Sequence, residues 1–417
     1  MSAFCDNYNN FRAMANITDI AGGITAAAGF RAAGVVAGIK KSGRKDFALV
    51  AADVPAVAAA VFTTNKVAAA PVVLSRERAA AGVVAAVALN SGCANACTGP
   101  QGLADAREMA AATAAALGVD ESAVLVCSTG VIGKLLPMER IKDGARLAAA
   151  ALSCDGGADA AEAIMTTDTV DKQYAVQVEI DGRLVTIGGM CKGSGMIEPL
   201  MATMLGVVTT DAAIGAVALD AALRQAVEVS FNRAVVDGDC STNDTVIMMA
   251  SGVAGNSELS AEHPGWNDFV EALQMVCIEL AKKIVLDGEG ATKFVTVRVK
   301  GAVNDADAHK VARAIAKSAL VKTSWFGLDP NWGRVIAAAG YSGAVIDDQK
   351  AQIYYGEICA YDRGEVADSL RIEALRKVME APSFDVTVNL NLGNGADVVY
   401  TCDFSYDYVK INAEYTT

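Results

Sequence analysis

The stretch that most restricts how this chain can fold lies at 174–187. Tyr174, Val176, Val178 and Ile180 alternate with small or polar residues, Asp181-Gly182 interrupts the run, and Leu184, Val185 and Ile187 resume it. A period of two broken by Asp-Gly predicts a β-hairpin with a two-residue turn. Its second strand runs through Gly188-Gly189-Met190-Cys191 into Lys192-Gly193-Ser194-Gly195-Met196-Ile197-Glu198-Pro199-Leu200-Met201-Ala202-Thr203-Met204-Leu205. That segment is apolar on both sides, so it is expected to enter the core. A sheet would hold whatever it carries on a rigid platform.

Two readings of Ala202-Thr203-Met204-Leu205 stand side by side. On spacing alone it is the first turn of a buried helix. The other reading is chemical. A threonine hydroxyl is a poor nucleophile unless a base adjoins it, and the residue's own α-amine becomes that base once the preceding peptide bond is cut. With a reference pKa of about 7.7–8.0, roughly a tenth to a fifth of such an amine is neutral near pH 7.

Composition narrows the classes. The chain has 417 residues, 53% hydrophobic and 20% charged, which suits a large core in two domains. Its net charge of −13 argues against nucleic acid or an anionic membrane as partner. No apolar run reaches the 18 or more residues of a membrane helix, and residues 1–16 lack the pattern of a secretion signal; a cytoplasmic location is expected. The 10 cysteines are scattered and read as buried, reduced thiols. The two histidines, His263 and His309, lie in helix-like, exposed segments, so neither a zinc site nor a histidine base is expected. The acidic loop 237–245 lacks the EF-hand spacing. No metal and no cofactor are expected.

Along the chain, residues 1–18 read as a lead-in. Strands are expected at 47–52, 58–63, 72–74 and 83–89, a helix at 102–117, and a strand at 124–126 ending in a Ser128-Thr129-Gly130 turn. Such a turn can aim a hydroxyl and a backbone N–H at one point, the geometry of an oxyanion hole, and it reads equally as a plain strand-to-helix turn. Helices are expected at 138–152, 157–164, 211–229 and 266–285. A second domain is expected from 294, with a helix at 304–320, a turn-rich stretch at 327–334, strands near 351–360, a helix at 368–380, and strands at 384–392 and 397–404.

Eight motifs carry a resemblance: GFRAAGVVAGIKKSG (29–43), NSGCANACTG (90–99), STGVIG (128–133), MTTDT (165–169), KGSGMIEPLMATML (192–205), DGEGATK (287–293), DPNWGR (329–334) and INAEY (411–415). Together they make the chain similar, from about residue 20 to its last, to the ornithine acetyltransferases, the bifunctional glutamate N-acetyltransferases of arginine biosynthesis. The resemblance implies an α/β (α+β) layered sandwich, helices outside stacked sheets, followed by a smaller α+β C-terminal domain. The domains would be 19–293 and 294–417. It implies autocleavage between Ala202 and Thr203, giving an α chain (1–202) and a β chain (203–417) that stay together as an α2β2 heterotetramer. Thr203 would be the nucleophile and Thr129 and Gly130 the oxyanion pair. Thr166, Lys192, Thr203, Glu289, Asn412 and Thr417 would bind substrate. The implied reaction moves acetyl from N2-acetyl-ornithine to glutamate through an acetyl-threonine, and some members also take acetyl-CoA as donor. An aminopeptidase or amidase with the same nucleophile and water as acceptor is the alternative enzyme. A metabolite-binding protein that never cuts itself is the non-enzymatic one. Leu200 and Cys240 depart from the family's usual residues.

Overall fold

The expected hairpin is one element of a large sheet. The computed structural model describes residues 17–198 and 204–414. Its strands up to residue 250 are β1 (Thr18–Ile20), β2 (Phe30–Val35), β3 (Phe47–Phe62), β4 (Val83–Cys93), β5 (Val124–Val131), β6 (Lys172–Ile180), β7 (Arg183–Lys192), β8 (Leu205–Thr210), β9 (Ala234–Val235) and β10 (Thr245–Ala250). All but β9 join one nine-stranded sheet, in the order β1-β6-β7-β8-β10-β3-β4-β5 with β2 beside β3. β6 and β7 form the hairpin, Ile180 opposite Arg183. Asp181 and Gly182 have φ of +53° and +68°, the left-handed pair that lets a two-residue turn follow the twist of its strands. Thr18, placed by sequence in the lead-in, is already paired with Gln177.

β3 is a single 16-residue strand where two were expected. Its ladder with β4 shifts register between Ala51 and Ala56. A bulge of this kind bends a strand, and β3 serves two parts of the sheet: Phe47–Ala51 lie against β4, and Val57–Phe62 against β10. The expected strand at 72–74 is instead part of the helix Ala70–Ala79. Pro71 sits in its first turn, where a missing N–H costs nothing, and Val72 and Leu74 are buried beneath it.

Alternation along the strands sends side chains into separate cores. Val87 and Leu89 of β4 pack with Met190, Val207 and Ile247 of β7, β8 and β10 in one cluster inside the sandwich. Ala86 and Ala88 of β4 point the other way, beneath Met109 and Ile141 of the helices Gly99–Leu117 and Met138–Ala151. Ile187, Val208 and Met248 likewise lie beneath Leu223 and Leu273 of the helices Ala216–Glu228 and Trp266–Leu286. The layers run helix, strand, strand, helix.

The remaining strands are β11 (Phe294–Ala302), β12 (Gln352–Tyr355), β13 (Ile358–Asp362), β14 (Glu365–Val366), β15 (Ser383–Asn389) and β16 (Gly395–Cys402). With β9 they form a seven-stranded sheet, β14-β13-β12-β15-β11-β16-β9, with a core of its own around Val297, Ile315, Trp325, Tyr355 and Val386. β9 is parallel to β16, so Ala234 and Val235 leave the first sheet's stretch of chain to join the second. The expected helix at 304–320 is two helices, Asp305–Lys317 and Ala319–Phe326. Ser318 divides them: its backbone is extended and its hydroxyl accepts from Val321 N, an N-cap that starts the second helix afresh. Asn331 caps the helix Trp332–Gly340 in the same way, through Arg334 N at 3.0 Å.

Candidate active site

β7 ends at Lys192 and β8 begins at Leu205, and these two residues face each other across an antiparallel ladder. Residues 193–204 therefore connect two paired strand ends. Met204 is pinned at the return: its N–H donates to Asp244 Oδ1 at 3.0 Å, and its carbonyl accepts from Thr245 N at 3.1 Å. The helix-start reading of this run does not hold, because Leu205–Thr210 is a strand with every residue buried. Ile187–Lys192 of β7 and all of β10, the stretches that flank it, are buried on both faces, which suits Val207 and Val208 better than a helix would. The residue after Thr203 thus leads into a central strand, β8, rather than following directly from the hairpin. Ala202, Thr203 and Thr417 lie outside the described residues.

The other residues named from sequence meet in one place. Thr129, Gly130, Thr166, Lys192, Glu289 and Asn412 all line a cavity of about 110 Å³. They come from the end of β5, the loop before β6, the end of β7, the loop after the helix Trp266–Leu286, and the C-terminal helix Tyr406–Glu414. The Ser-Thr-Gly expected as a turn is the end of β5. Gly130 has φ +127°, and a Cβ there would stand 2.4 Å from the backbone carbon of Gly92. Only glycine lets the ends of β4 and β5 approach so closely. Asn243 clamps this strand end from across the pocket: its Nδ2 donates to the Ser128 carbonyl at 2.8 Å and the Ala94 carbonyl at 2.6 Å.

Lys192 and Glu289 supply opposite charges, and both are buried. A Cβ on Gly195 would lie 2.4 Å from the Glu289 carboxylate, so the glycine makes room for it. Asn412 Nδ2 donates to Glu289 Oε2 at 2.8 Å, and Glu289 N donates to the Ser194 carbonyl at 2.8 Å. Sequence reasoning missed what holds Lys192 in place. Asp168 Oδ1 accepts from Lys172 Nζ at 2.8 Å and from Gly193 N at 2.7 Å; Oδ2 accepts from Thr166 N at 2.9 Å and stands 3.7 Å from Lys192 Nζ. Lys172 Nζ also reaches Asp287 Oδ2 at 2.6 Å. Burial would raise the Asp168 pKa, but Lys192 and Lys172 hold the carboxyl well below the usual range. Burial would lower that of Lys172, and Asp168 and Asp287 raise it instead. The signal in the sequence was the polar run MTTDT after an apolar stretch; its partners lie far along the chain.

Two further carboxylates were also missed. Asp237 accepts from Met196 N at 2.6 Å and Ile197 N at 2.9 Å, shaping the loop after Lys192; burial raises its pKa. Asp244 is wholly buried, Oδ2 has no hydrogen-bond partner among the described residues, and burial pushes its pKa well up. The histidines are half-buried rather than exposed: His309 Nδ1 lies 2.6 Å from Asp397 and His263 Nε2 3.1 Å from Asp181, and neither lines the pocket. Cys97 and Cys154 are exposed, unlike the buried Cys127, Cys191, Cys277 and Cys402.

A strand-end Thr-Gly pair beside buried groups of both charges suits acyl transfer, and the chain's relatives put it among the acyltransferases. The chain belongs to the ArgJ family, whose profile matches residues 31–417. It is 54% identical over 400 residues to the arginine biosynthesis bifunctional protein ArgJ of Symbiobacterium thermophilum, covering 95% of this chain and 99% of that one. To the protein of the same name from Geobacter sulfurreducens it is 52% identical over 389 residues, covering 93% and 99%. A crystal structure of ornithine acetyltransferase complexed with ornithine, from Mycobacterium tuberculosis, is 45% identical over 45% of this chain and 99% of that chain, with a TM-score of 0.42.

Proposed function

We propose that this chain cuts itself between Ala202 and Thr203 and then carries an acetyl group from N2-acetyl-ornithine to glutamate on Thr203. The observation that carries the reading is the meeting of Thr129, Gly130, Thr166, Lys192, Glu289 and Asn412 around one cavity. It lies beside the strand that begins two residues after Thr203. The Thr203 hydroxyl attacks the acetyl carbonyl while its α-amine takes the proton. Thr129 and Gly130 stabilise the oxyanion, each donor worth about 2.7–4 kcal/mol. The tetrahedral centre collapses, the C–N bond breaks, and ornithine leaves with the proton. Glutamate's α-amine then attacks the ester and restores the hydroxyl. One amide replaces another, so no energy source is needed, and the kinetics are ping-pong. Lys192 and Glu289 offer a cation and an anion to a donor bearing a carboxylate and a distal ammonium; Thr417 completes the binding set.

The fragments 1–202 and 203–417 remain together as α2β2 in the cytoplasm, and 19–293 and 294–417 act as two domains. Intact-mass measurement of the purified protein tests the cut: a fragment beginning at Thr203 is expected, and Thr203→Ala should give a whole, inactive chain. Acetylglutamate should form from N2-acetyl-ornithine only when glutamate is supplied. Acetate released without glutamate would overturn the transfer.

A further inference from the structure

β5 lies at the edge of its sheet, with β4 on one side and no strand on the other among the described residues. An edge strand is held by one ladder only, yet the end of this one carries Thr129 and Gly130. Asn243 supplies a second hold. Its Nδ2 donates to the Ser128 carbonyl at 2.8 Å and to the Ala94 carbonyl at 2.6 Å, so both amide protons are committed. Its Oδ1 accepts from Thr242 Oγ1 at 2.6 Å, which fixes the orientation of the amide. The Ser128 carbonyl and the Thr129 N–H share one planar trans peptide and point opposite ways. Holding the carbonyl therefore aims the N–H as well.

The next residue holds the other side of the reaction. Asp244 Oδ1 accepts from the N–H of Met204, the residue that follows Thr203, at 3.0 Å. Consecutive Cα atoms lie about 3.8 Å apart, so one peptide unit sets the spacing of the two grips. The stretch that carries them is itself pinned. The Thr242 carbonyl accepts from Ala69 N and the Asp244 carbonyl from Thr63 N, each at 2.9 Å. Asn243 N donates to Ser241 Oγ at 3.1 Å. Thr242, Asn243 and Asp244 are all buried, and the first two line the 110 Å³ cavity. A buried amide whose protons are all bonded has no cheap alternative position, because each bond lost leaves a desolvated group unpaired.

We infer that Asn243 is a positioning residue for acyl transfer, fixing the distance between the oxyanion pair and the nucleophile. This deepens the proposed function and rests on it. The proposed cut leaves Ala94, Ser128, Thr129 and Gly130 on the fragment 1–202, and Thr203, Met204 and Asn243 on the fragment 203–417. Donors and nucleophile then belong to separate chains, and Asn243 spans the two beside the pocket. Oxyanion donors act when held about 2.7–3.1 Å from the developing charge, and a misplacement of about 1 Å can cost about a hundredfold in rate. Asn243 acts through the Ser128 peptide, since its own amide protons are already committed to carbonyls.

The test compares wild type, Asn243→Ala and Thr242→Val as full-length protein, with the cut fraction read by intact mass and rates referred to that fraction. Both half-reactions use the same donors, so kcat for transfer by Asn243→Ala should fall about a hundredfold while the KM for N2-acetyl-ornithine stays within about twofold. Thr242→Val keeps the amide and removes only its anchor; it should show the same split with a loss of about tenfold. Two equilibrium probes separate positioning from general damage. Ornithine, titrated by calorimetry, should bind all three proteins alike. Methylboronic acid, whose boron bonds a hydroxyl and presents a tetrahedral oxyanion, should lose affinity in the same order as kcat. Wild-type kcat in Asn243→Ala overturns the assignment, and so does a loss shared equally by ornithine and the boronate. If Asn243→Ala fails to fold or to cut, Thr242→Val decides alone: wild-type kcat and boronate affinity there overturn the assignment. Failure of the proposed function would appear separately, as wild type that neither cuts nor transfers acetyl from N2-acetyl-ornithine.

Discussion

Each of the two sheets buries a lysine completely, and the two lysines are treated in opposite ways. Lys172, on β6, reaches Asp168 and Asp287 and is driven toward its charged form. Lys322, on the helix Ala319–Phe326 over the second sheet, has neutral partners: Thr401 Oγ1 at 2.8 Å, the Cys402 carbonyl, and the face of Phe404 with the ring centre at 4.6 Å. Burial lowers its pKa, against Cys402 and the more distant Asp403 and Asp237. The difference lies in what each ammonium helps to hold. Lys172 belongs to a charge cluster that fixes Gly193 and Lys192 at the pocket. Lys322 ties a helix to the end of β16. A buried charge costs several kcal/mol unless it is paired, so a fully paired cluster is placed where geometry matters for chemistry.

The strongest way to break this contrast is Asp168→Ala. Lys172 keeps Asp287, and Lys192 loses its one ion-pair partner among the described residues, while the Gly193 and Thr166 amides lose their acceptor. Urea denaturation should show a loss of about 3–5 kcal/mol, and acetyl transfer should fall with it. A variant as stable and active as wild type would refute the anchoring role. Lys322→Met is expected to cost only about 1 kcal/mol near pH 7, since neutral hydrogen bonds are exchanged for apolar packing.

The pH dependence sharpens the same contrast. Lys322 has a folded pKa below its unfolded value, so the unfolded chain binds the extra proton and the folded state gains as pH climbs toward about 10.4. Lys172 has a raised folded pKa, so its contribution is complete below about 10.4 and is lost only above it. The gap between wild type and Lys322→Met should therefore widen in favour of wild type on the alkaline side. The gap to Lys172→Met should not widen below pH 10.4. Parallel curves would sink the comparison.

The smallest effect is expected from Asp244→Asn. Asparagine keeps the acceptor for Met204 N and removes an ionisation that burial opposes. A raised folded pKa contributes stability below the unfolded value near 3.9 and loses it as pH rises through the folded value. The variant should match wild type in acid and exceed it by under about 1 kcal/mol at pH 8, read as a shift of the thermal midpoint. A variant less stable than wild type at pH 8 would show that the ionised form is the one the fold needs.

Much of the first sheet was legible because its cues are local. The 174–187 alternation and Asp181-Gly182 predict the hairpin, and the Ala-rich run at 102–117 predicts a helix. Failures came where distant residues decide. Val72-Val73-Leu74 looks like a strand until Pro71 and the burial of one face make it helix. Ala202-Thr203-Met204-Leu205 reads on spacing alone as a helix start, because nothing local shows that β7 and β10 lie on both sides of the strand that begins at Leu205. Thr129, Gly130, Thr166, Lys192, Glu289 and Asn412 are singled out by five of the eight motifs, and their meeting in one cavity is not legible there. Asp168 sat inside one of those motifs without any sign of its partners, because Asp287 is 119 residues away in the chain.

By itself the sequence determined the repeating elements and the chemistry available to them: which stretches alternate, where glycine permits a turn, and which side chains can carry charge or a nucleophilic hydroxyl. These follow from backbone sterics and side-chain period, which act over a few residues. Only the tertiary structure decided which charges are paired, that Gly92 and Gly130 bring two strand ends together, and that Asn243 holds the end of β5 from across the pocket. Pairing energy and desolvation depend on distances of a few ångströms between residues far apart in the chain, and those distances exist only after the chain has packed.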